Sequence, residues 1–311
     1  MAYINKIVKH GIGWQKESLN AIEGGAPGTS QAFLLLPVNS QPTFDGGYTL
    51  PQDNKFHGAP YLKSGVGLDL GVPADAPFNP SVEFTCNINL DLLKRLMVAL
   101  GGEFGTDLGV GATGNCYEIE CPTAAFQYQY STTPNTALTS YSLMYAVEDA
   151  GNWLATGVPS SITLDFPADG SPGTMTVRLT GGYSADNAAS GSWTFSPTTT
   201  SQHADFGSQI VSMYHGAENM HSGVSASITF EADVEQLHNG YRNPQFVGPT
   251  AWRVSGRFGD VDLTDALFDD WQAHTQRAVY FENDWDATPA NNDAENWKIN
   301  APNVRITNNP Q

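Results

Sequence analysis

Three residues close together in the chain, His215, Glu218 and His221, have side chains that commonly bind metal ions. A helical His-Glu-x-x-His motif would place two imidazoles on one helix face beside a glutamate that acts as a general base. The spacing here does not match that motif, and Gly216 and Gly223 interrupt the segment. A solvated loop is therefore the favoured interpretation, and a metal site is the alternative.

Paired carboxylates are the second group that could carry chemistry. Asp260 and Asp262 could bind a divalent cation, but Asp262 stands where a following helix needs an N-terminal cap, and capping is favoured. A glycosidase needs two carboxylates with separated pKa values flanking a cleft, and the sequence singles out no such pair. The chain also has no nucleophile elbow, P-loop or complete dinucleotide fingerprint. We therefore expect no enzymatic activity and no bound metal or cofactor.

The acids are concentrated in one region of the chain. The 311 residues have a formal net charge of −18. Between residues 96 and 241 the only lysine or arginine is Arg178, whereas the same window holds fourteen aspartates and glutamates. Such a charge argues against a protein that grips phosphates, because nucleic-acid binding depends on clustered lysine and arginine. It leaves open a surface that DNA passes without binding.

The elements that carry these acids are predicted to be β-strands. Residues 224–235 alternate without exception between apolar side chains and Ser, Thr, Glu or Asp, which is the period of a half-buried strand. Residues 161–166 and 174–180 alternate in the same way, and the Asp-Gly-Ser-Pro-Gly sequence between them predicts a hairpin. A second hairpin is predicted over residues 140–156. The chain is therefore expected to be mainly β.

Two helices and several further strands complete the expected elements. Helices are predicted at residues 90–100 and 263–273, each directly after a strand, so internal duplication and coincidence in a β-rich chain are both open. Segments rich in Gly, Pro, Ser and Thr at residues 24–30, 42–51 and 185–201 are predicted to be loops, arms or linkers. Further strands are predicted at residues 32–38, 82–88, 117–121, 124–130, 210–214, 252–258, 278–281 and 304–307.

Several acids are expected to share a sheet face. Glu118 and Glu120 are two residues apart on one predicted strand, and Glu231 and Asp233 are two residues apart on another. Asp165 lies on the polar side of the strand at residues 161–166. Two interpretations are open: these acids form a solvated sheet surface, or they form an anionic wall that repels a polyanion.

Cysteine usage and the beginning of the sequence indicate where the protein is made. Cys86, Cys116 and Cys121 are odd in number, and the last two would be too far apart to bridge if they shared a strand. Residues 1–16 lack the pattern of a signal peptide, and no apolar run approaches the ~20 residues of a membrane span. We therefore expect free thiols and synthesis in the cytoplasm.

Several segments together resemble the tail tube proteins of long-tailed bacteriophages. Residues 13–17 (GWQKE) and 32–38 (AFLLLPV) resemble the family's N-terminal arm and first strand. Residues 82–102, which contain LDLLKRL, are similar to its strand and leucine-rich helix. Residues 140–180 are similar to its central hairpins, and residues 252–281 and 299–306 (INAPNVRI) to its last helix and terminal strand.

The resemblance implies a structural virion protein without catalysis that self-assembles into rings of three or six copies. The rings would stack into the tail tube, with packed β-sheets and short flanking helices joining into an oligomeric β-barrel. Double-stranded DNA would pass through this barrel during ejection without specific binding. The other partners implied are tail proteins such as the tape measure and the tail terminator, with no membrane. The residues expected to face the lumen are Glu118, Glu120, Asp165, Glu231 and Asp233.

The resemblance also divides the chain into three parts. Residues 1–30 would form an N-terminal arm, residues 31–200 a first tube half with loop insertions, and residues 201–311 a second half with the C-terminal strand. The protein would be located in the phage tail after synthesis in the host cytoplasm. The alternative, from another functional class, is a β-sandwich adhesin that binds carbohydrate through its acids and tryptophans, with Trp193 in a Ser- and Thr-rich loop as the platform.

Overall fold

In the computed structural model, the described part of the chain consists mainly of β-strands, which pair in antiparallel fashion with one exception. The residues described are 10–16, 31–35, 38–39, 42–45, 81–88, 93, 96–97, 100, 103–107, 117–120, 141–147, 151–180, 184–186, 193–196, 212–220, 225–237, 246–259, 265–283 and 297–308.

The strands and one helix have the following bounds in chain order. They are β1 His10–Lys16, β2 Gln31–Leu35, β3 Thr43–Asp45, β4 Ser81–Asn87, β5 Glu103–Asp107, β6 Tyr117–Glu120, β7 Tyr141–Val147, β8 Gly151–Phe166, β9 Thr174–Thr180, β10 Ser184–Asp186, β11 Trp193–Ser196, β12 Ser212–His215, β13 Glu218–Asn219, β14 Ser225–Leu237, β15 Phe246–Gly259, helix α1 Asp265–Gln272, β16 Gln276–Asn283 and β17 Trp297–Arg305.

Strand β8 joins two ladders of the largest sheet. On one side of β8, its first half (residues 151–157) pairs with β7, and the sheet continues from β7 through β1 and β2 to β11. On the other side, the first half of β8 pairs with β10. Its second half pairs with β9 on one side and with β14 on the other. The second half of β8 therefore lies within a ladder of six strands in the order β3-β4-β9-β8-β14-β15, called the central sheet below.

One face of the central sheet forms the hydrophobic core, as the period of two predicts. Apolar residues of β4, β8, β9 and β14 alternate with polar ones, and the apolar set is almost fully buried. The buried side chains are Val82, Phe84, Cys86, Ile162, Leu164, Phe166, Met175, Val177, Leu179, Ala226, Ile228, Phe230 and Ala232.

A second, four-stranded sheet and helix α1 contribute to the same core. This sheet has the order β13-β12-β16-β17, and Met213, Met220 and Val279 from it belong to the core cluster. Leu267 of α1 belongs to the same cluster, as do Leu96 and Leu100 from the segment after β4. These elements therefore pack against the apolar face of the central sheet. The opposite face of the sheet carries polar side chains.

Helix α1 ends in a Schellman motif. The N–H of Thr275 donates to the carbonyl of Asp270 at 2.9 Å, and the N–H of His274 donates to the carbonyl of Trp271 at 3.2 Å. His274 has a φ of 53°, a left-handed conformation that most helices assign to glycine at this position. The motif ends the helix one turn after Asp270 and directs the chain into β16.

Most predicted elements are confirmed. The two hairpins correspond to β7–β8 and β8–β9, the strictly alternating strand corresponds to β14, and the helix predicted at residues 263–273 corresponds to α1. The helix predicted at residues 90–100 is supported at Leu93, Leu96 and Met97, which are helical, and the N–H of Leu100 donates to the carbonyl of Leu96 at 2.7 Å. The strand predicted at residues 124–130 lies outside the described residues.

The predicted loops at residues 42–51 and 185–201 are wrong in part. They contain β3, the end of β10, and β11. Strand β11 pairs in parallel with β2, far away in the chain, and β3 pairs with β4. Pairing with a distant strand supplies backbone hydrogen bonds that a local excess of Gly, Ser and Thr does not reveal. The division of the chain at residue 200 stays a prediction, although β14 pairs directly with β8.

Candidate functional site

The face of the central sheet that points away from the core carries three rows of polar side chains, called the polar face below. Each row crosses β4, β9, β8, β14 and β15, because directly paired residues point to the same side of a sheet. None of these side chains is buried. The rows are Asn87–Thr174–Asp165–Ser227–Arg257, Thr85–Thr176–Thr163–Thr229–Ser255 and Glu83–Arg178–Ser161–Glu231–Arg253.

The middle row of the polar face consists only of hydroxyl side chains. The hydroxyls of Thr85 and Thr176 are 3.0 Å apart, and those of Thr163 and Thr229 are 3.1 Å apart, so each pair shares a hydrogen bond. These bonds satisfy the side chains within the sheet. The row therefore offers a continuous polar surface of uncharged hydroxyl groups.

The charges on the polar face come from both signs. Arg253 lies directly across from Glu231 and donates from its Nη2 to Oδ1 of Asp233 at 2.6 Å. Arg178 lies directly across from Glu83. Among the described residues the polar face, with Asp233 added at its end, carries the carboxylates Glu83, Asp165, Glu231 and Asp233 and the guanidinium groups Arg178, Arg253 and Arg257.

Strand pairing adds arginines to the surface that is predicted to be either a solvated sheet surface or an anionic wall. The acidic window of the sequence ends at residue 241, but strand pairing places Arg253 and Arg257 of β15 beside the acids of β14. The sole cation inside the window, Arg178, lies on the same face. The described polar face is therefore nearly balanced in charge and rich in hydroxyls, because the sheet combines segments that are far apart in sequence.

The five residues expected to face a lumen are not all brought together. Asp165, Glu231 and Asp233 lie on the polar face, where Asp165 is half-buried and the other two are exposed. Glu118 and Glu120 lie on β6, whose only partner among the described strands is β5. Whether any of the five faces a lumen stays a prediction.

Strand β15 is the last strand of the central sheet in the part of the chain that the structure describes, and this side is called the open edge below. Among the described strands, β15 pairs with β14 and with no other strand. Residues 253–257 are all exposed, and Val254 is 48% exposed although its partner Phe230 is buried in the core. The apolar face of the sheet thus extends past its cover at this edge. Long unpaired edge strands readily accept another strand.

Two of the three residues that suggested a metal site occupy a β-hairpin, so the predicted solvated loop is wrong at His215 and Glu218. His215 ends β12 and is 5% exposed, Glu218 begins β13, and Gly216 with a φ of 63° makes the tight turn between them. His221 lies outside the described residues. In the described part of the chain, no group of three or more His, Cys, Asp or Glu side chains is arranged to hold a metal ion.

His215 instead belongs to a partly buried polar cluster with Asp270 and Arg277 that joins β12, α1 and β16. Arg277 donates from Nε and Nη2 to the two carboxylate oxygens of Asp270, both at 3.1 Å. The Nδ1 of His215 is 3.7 Å from Oδ2 of Asp270, which is longer than a hydrogen bond. Its Nε2 is buried, with no hydrogen-bond partner among the described residues.

This geometry sets the protonation of the cluster. Burial is the main cause that lowers the pKa of His215 below its usual value, and the nearby Asp270 carboxylate opposes that effect. The hydrogen bonds from Arg277 are the main cause that lowers the pKa of Asp270. A neutral imidazole beside a bidentate ion pair is a structural arrangement.

The remaining candidates give no catalytic arrangement. Cys86 is a free, buried thiol, and burial raises its pKa to about 12, which makes it a poor nucleophile. Trp193, considered as a carbohydrate platform in a loop, begins β11 and pairs with Gln31. Cys116, Cys121, Asp260 and Asp262 lie outside the described residues.

Comparison with known proteins adds no identification. No protein-family model matches the chain, and a search of curated proteins found no match. Within the described residues, no helix has the length and apolar character needed to cross a membrane.

The sequence alone does not show that Arg253 and Arg257 belong to the polar face. Arg253 and Arg257 fall on a strand that was predicted correctly, but the neighbour of that strand was not predicted. The signal available in the sequence was their spacing of four residues, which puts both on one side of a strand. Only the order of the strands shows that this side is the one that carries Glu231.

Proposed function

We propose that this chain is a structural subunit that self-assembles into stacked rings and forms a bacteriophage tail tube, a conduit for DNA. The proposal starts from the resemblance of its segments to tail tube proteins. The observation that supports it most strongly in the fold is the open edge of the central sheet at β15. A sheet edge from a second copy would pair with the exposed backbone and cover Val254.

The polar face suits the wall of a channel that DNA must pass. It has no lysine among its described residues, and two of its three arginines lie directly across from carboxylates. A phosphate group would have to compete with those carboxylates for each guanidinium group. Hydroxyl groups in the middle row keep the surface hydrated without adding net charge. DNA would therefore gain little by staying bound.

The packing of the sheet also supports a scaffold role. The face opposite the polar face is closed by a continuous core that includes Ile162, Met175 and Val177, each 0% exposed. A tightly packed core of this kind holds the polar face rigidly. Enzymatic activity is not part of the proposal.

The experiment tests the open edge with two matched variants. Val254→Asp puts a charge on the apolar side of β15, whereas Phe268→Asp puts one at a second exposed large hydrophobic residue among those described, which is 41% exposed on α1. We expect Val254→Asp to remain monomeric in sedimentation velocity runs at concentrations where the wild type and Phe268→Asp assemble. Assembly of Val254→Asp at the wild-type concentration would contradict pairing at this edge.

A further inference from the structure

The β12–β13 hairpin is a small unit at one side of the four-stranded sheet. Strand β12 has four residues and β13 has two. In the described part of the chain this sheet has the order β13-β12-β16-β17, so the hairpin is joined to the rest of the sheet through the pairing of β12 with β16. The hairpin can therefore separate from the sheet without breaking any other described strand pairing.

The turn of the hairpin is attached to both β16 and α1. The N–H of Gly216 donates to the carbonyl of Ala278 on β16 at 2.7 Å. The stem of Arg277 packs against the turn, since a Cβ at position 216 would lie 3.5 Å from Cδ of Arg277. The guanidinium group of the same arginine donates two hydrogen bonds to Asp270 on α1. Arg277 therefore connects the turn of the hairpin to the helix.

His215 stands directly before this turn and is 5% exposed. Its Nε2 has no hydrogen-bond partner among the described residues. Its Nδ1 is 3.7 Å from Oδ2 of Asp270, an oxygen that already accepts a hydrogen bond from Nε of Arg277. A protonated imidazole has two N–H donors. In this arrangement one of them would lack an acceptor among the described residues, and the other would have to share an oxygen with Arg277.

Three charged groups act on His215 from the elements packed around it. Asp270 on α1 and Glu218, directly across the hairpin on β13, favour the protonated ring, whereas Arg277 on β16 opposes it. Burial is the largest effect and also opposes protonation, so the pKa of His215 lies below its usual value of 6.5. A ring that binds a proton is therefore more stable in water than in the closed hairpin.

We propose that His215, Asp270 and Arg277 form an acid-sensitive latch: when His215 binds a proton, its ring moves into water and the β12–β13 hairpin separates from β16 and α1, while the central sheet stays folded. Met213 and Met220 of the hairpin are 4% and 1% exposed in the closed state, and the opening would make both accessible. The latch is a property of the single chain and does not depend on the proposed self-assembly.

The size of the effect follows from the proton that only the open hairpin binds readily. The ratio of open to closed hairpins should rise by up to about tenfold for each pH unit below 6.5, until the lowered pKa of the closed state is reached. Asp270 keeps its charge down to pH 3.8, because its own pKa lies below that value. An opening between pH 6.5 and 3.8 is therefore not caused by protonation of Asp270.

Hydrogen exchange of the wild-type protein, resolved by residue, tests the latch in this pH range. The amides of Gly216 and Met220 report on the hairpin, because both are hydrogen-bonded in the closed state. We expect their protection factors, which correct for the intrinsic pH dependence of exchange, to fall by up to about tenfold per pH unit. The amide of Val177 in the central sheet should stay more protected at every pH. Constant protection of Gly216 and Met220 would overturn the latch.

Low concentrations of urea separate local opening from unfolding of the whole protein. Exchange at Val177 should accelerate more steeply with urea than exchange at Gly216, because complete unfolding exposes more surface than the opening of one hairpin. Equal urea dependence at the two amides would show that the hairpin opens only when the whole protein unfolds, and would overturn the proposal. These measurements need no substitution, so they stand even where a variant does not fold.

Two variants assign the pH dependence to one side chain. His215→Phe removes the titrating ring and should make the protection of Gly216 and Met220 nearly constant between pH 6.5 and 3.8. Glu218→Gln is the matched control, because it removes the carboxylate directly across the hairpin and should keep the pH dependence of the wild type. A pH dependence that persists in His215→Phe, or that disappears in Glu218→Gln, would overturn the role of His215.

Discussion

Arg253 on β15 donates a hydrogen bond to Asp233 on β14, with 2.6 Å between Nη2 and Oδ1. Both side chains are more than half exposed, so the pair contributes little to the stability of the fold. Its consequence is electrostatic, because it keeps a guanidinium group of the polar face occupied by a carboxylate. Removing the carboxylates should therefore expose the arginines to other anions.

A variant with Asp165→Asn, Glu231→Gln and Asp233→Asn should gain affinity for double-stranded DNA. Arg178, Arg253 and Arg257 would then face the solvent with fewer competing carboxylates. We expect a mobility shift for the variant at low salt that disappears as salt rises, and none for the wild type. Asp169→Asn is the control, because Asp169 lies in the exposed turn between β8 and β9, outside the polar face. Equal DNA retention by control and variant would contradict this role of the carboxylates.

How much the sequence predicts depends on how local the cause is. The alternation of β14 and the turn between β8 and β9 are local, and both were predicted correctly. The pairing of β11 with β2 joins segments that are distant in the chain, and it was not predicted. The pairing of β15 with β14 depends on the order of strands in the sheet, and it was not predicted either. The alternating pattern determines which side chains share a face, but it does not determine the neighbour.

The candidate site shows the same limit. The alternating pattern correctly predicts that Asp165, Glu231 and Asp233 lie on polar strand faces. The excess of acids between residues 96 and 241 does not show that strand pairing brings arginines from outside this window beside them. His215 was assigned to a loop because glycines flank its segment. In the structure, Gly216 instead belongs to a two-residue turn of a hairpin. His215 therefore ends a paired strand, where it is buried.

Truncation of the buried side chain of Ile162 should cost far more stability than truncation of Thr163, the next residue of β8, which lies on the polar face. Ile162 is 0% exposed, so Ile162→Ala should lower the free energy of unfolding by about 2–5 kcal/mol. Thr163→Ala removes the hydroxyl that lies 3.1 Å from that of Thr229 on the polar face and should cost about 0.5–1.5 kcal/mol. Urea denaturation monitored by fluorescence measures both values. Equal costs would show that the two faces are assigned incorrectly.

Replacing His274, the second residue after α1, should stabilise the protein. His274 has a φ of 53°, and a left-handed conformation costs a residue with a Cβ about 1–2 kcal/mol. His274→Gly should raise the free energy of unfolding by about 1 kcal/mol, since glycine adopts this conformation without strain. Ala273→Gly, at the preceding position, should lower it instead. Urea denaturation of both variants provides the comparison, and a loss of stability in His274→Gly would contradict the strain.

The stability of the protein should fall in mildly acidic solution because of His215. Burial lowers its pKa in the folded state, so below the usual value of 6.5 the unfolded chain binds a proton that the folded chain resists. The stabilisation that comes from keeping His215 neutral is therefore present in full above pH 6.5. It is lost progressively as the pH falls from 6.5 to the lowered pKa of the folded state. Asp270, whose pKa is also lowered, adds a separate loss below pH 3.8.

Replacement of the imidazole tests that assignment. His215→Phe keeps a ring in the buried site and removes the titrating group, so the free energy of unfolding should become less dependent on pH just below 6.5. Urea denaturation at a series of pH values gives the slopes. A slope that is unchanged in His215→Phe would assign the effect to another group.

Electron microscopy of the purified protein at high concentration tests the central claim most directly. The proposed function predicts rings with a central channel that stack into tubes, and a map of them should place the polar face with Thr163 and Thr229 on the channel wall. Isolated compact particles at every concentration, or a channel lined mainly by lysine and arginine, would contradict it.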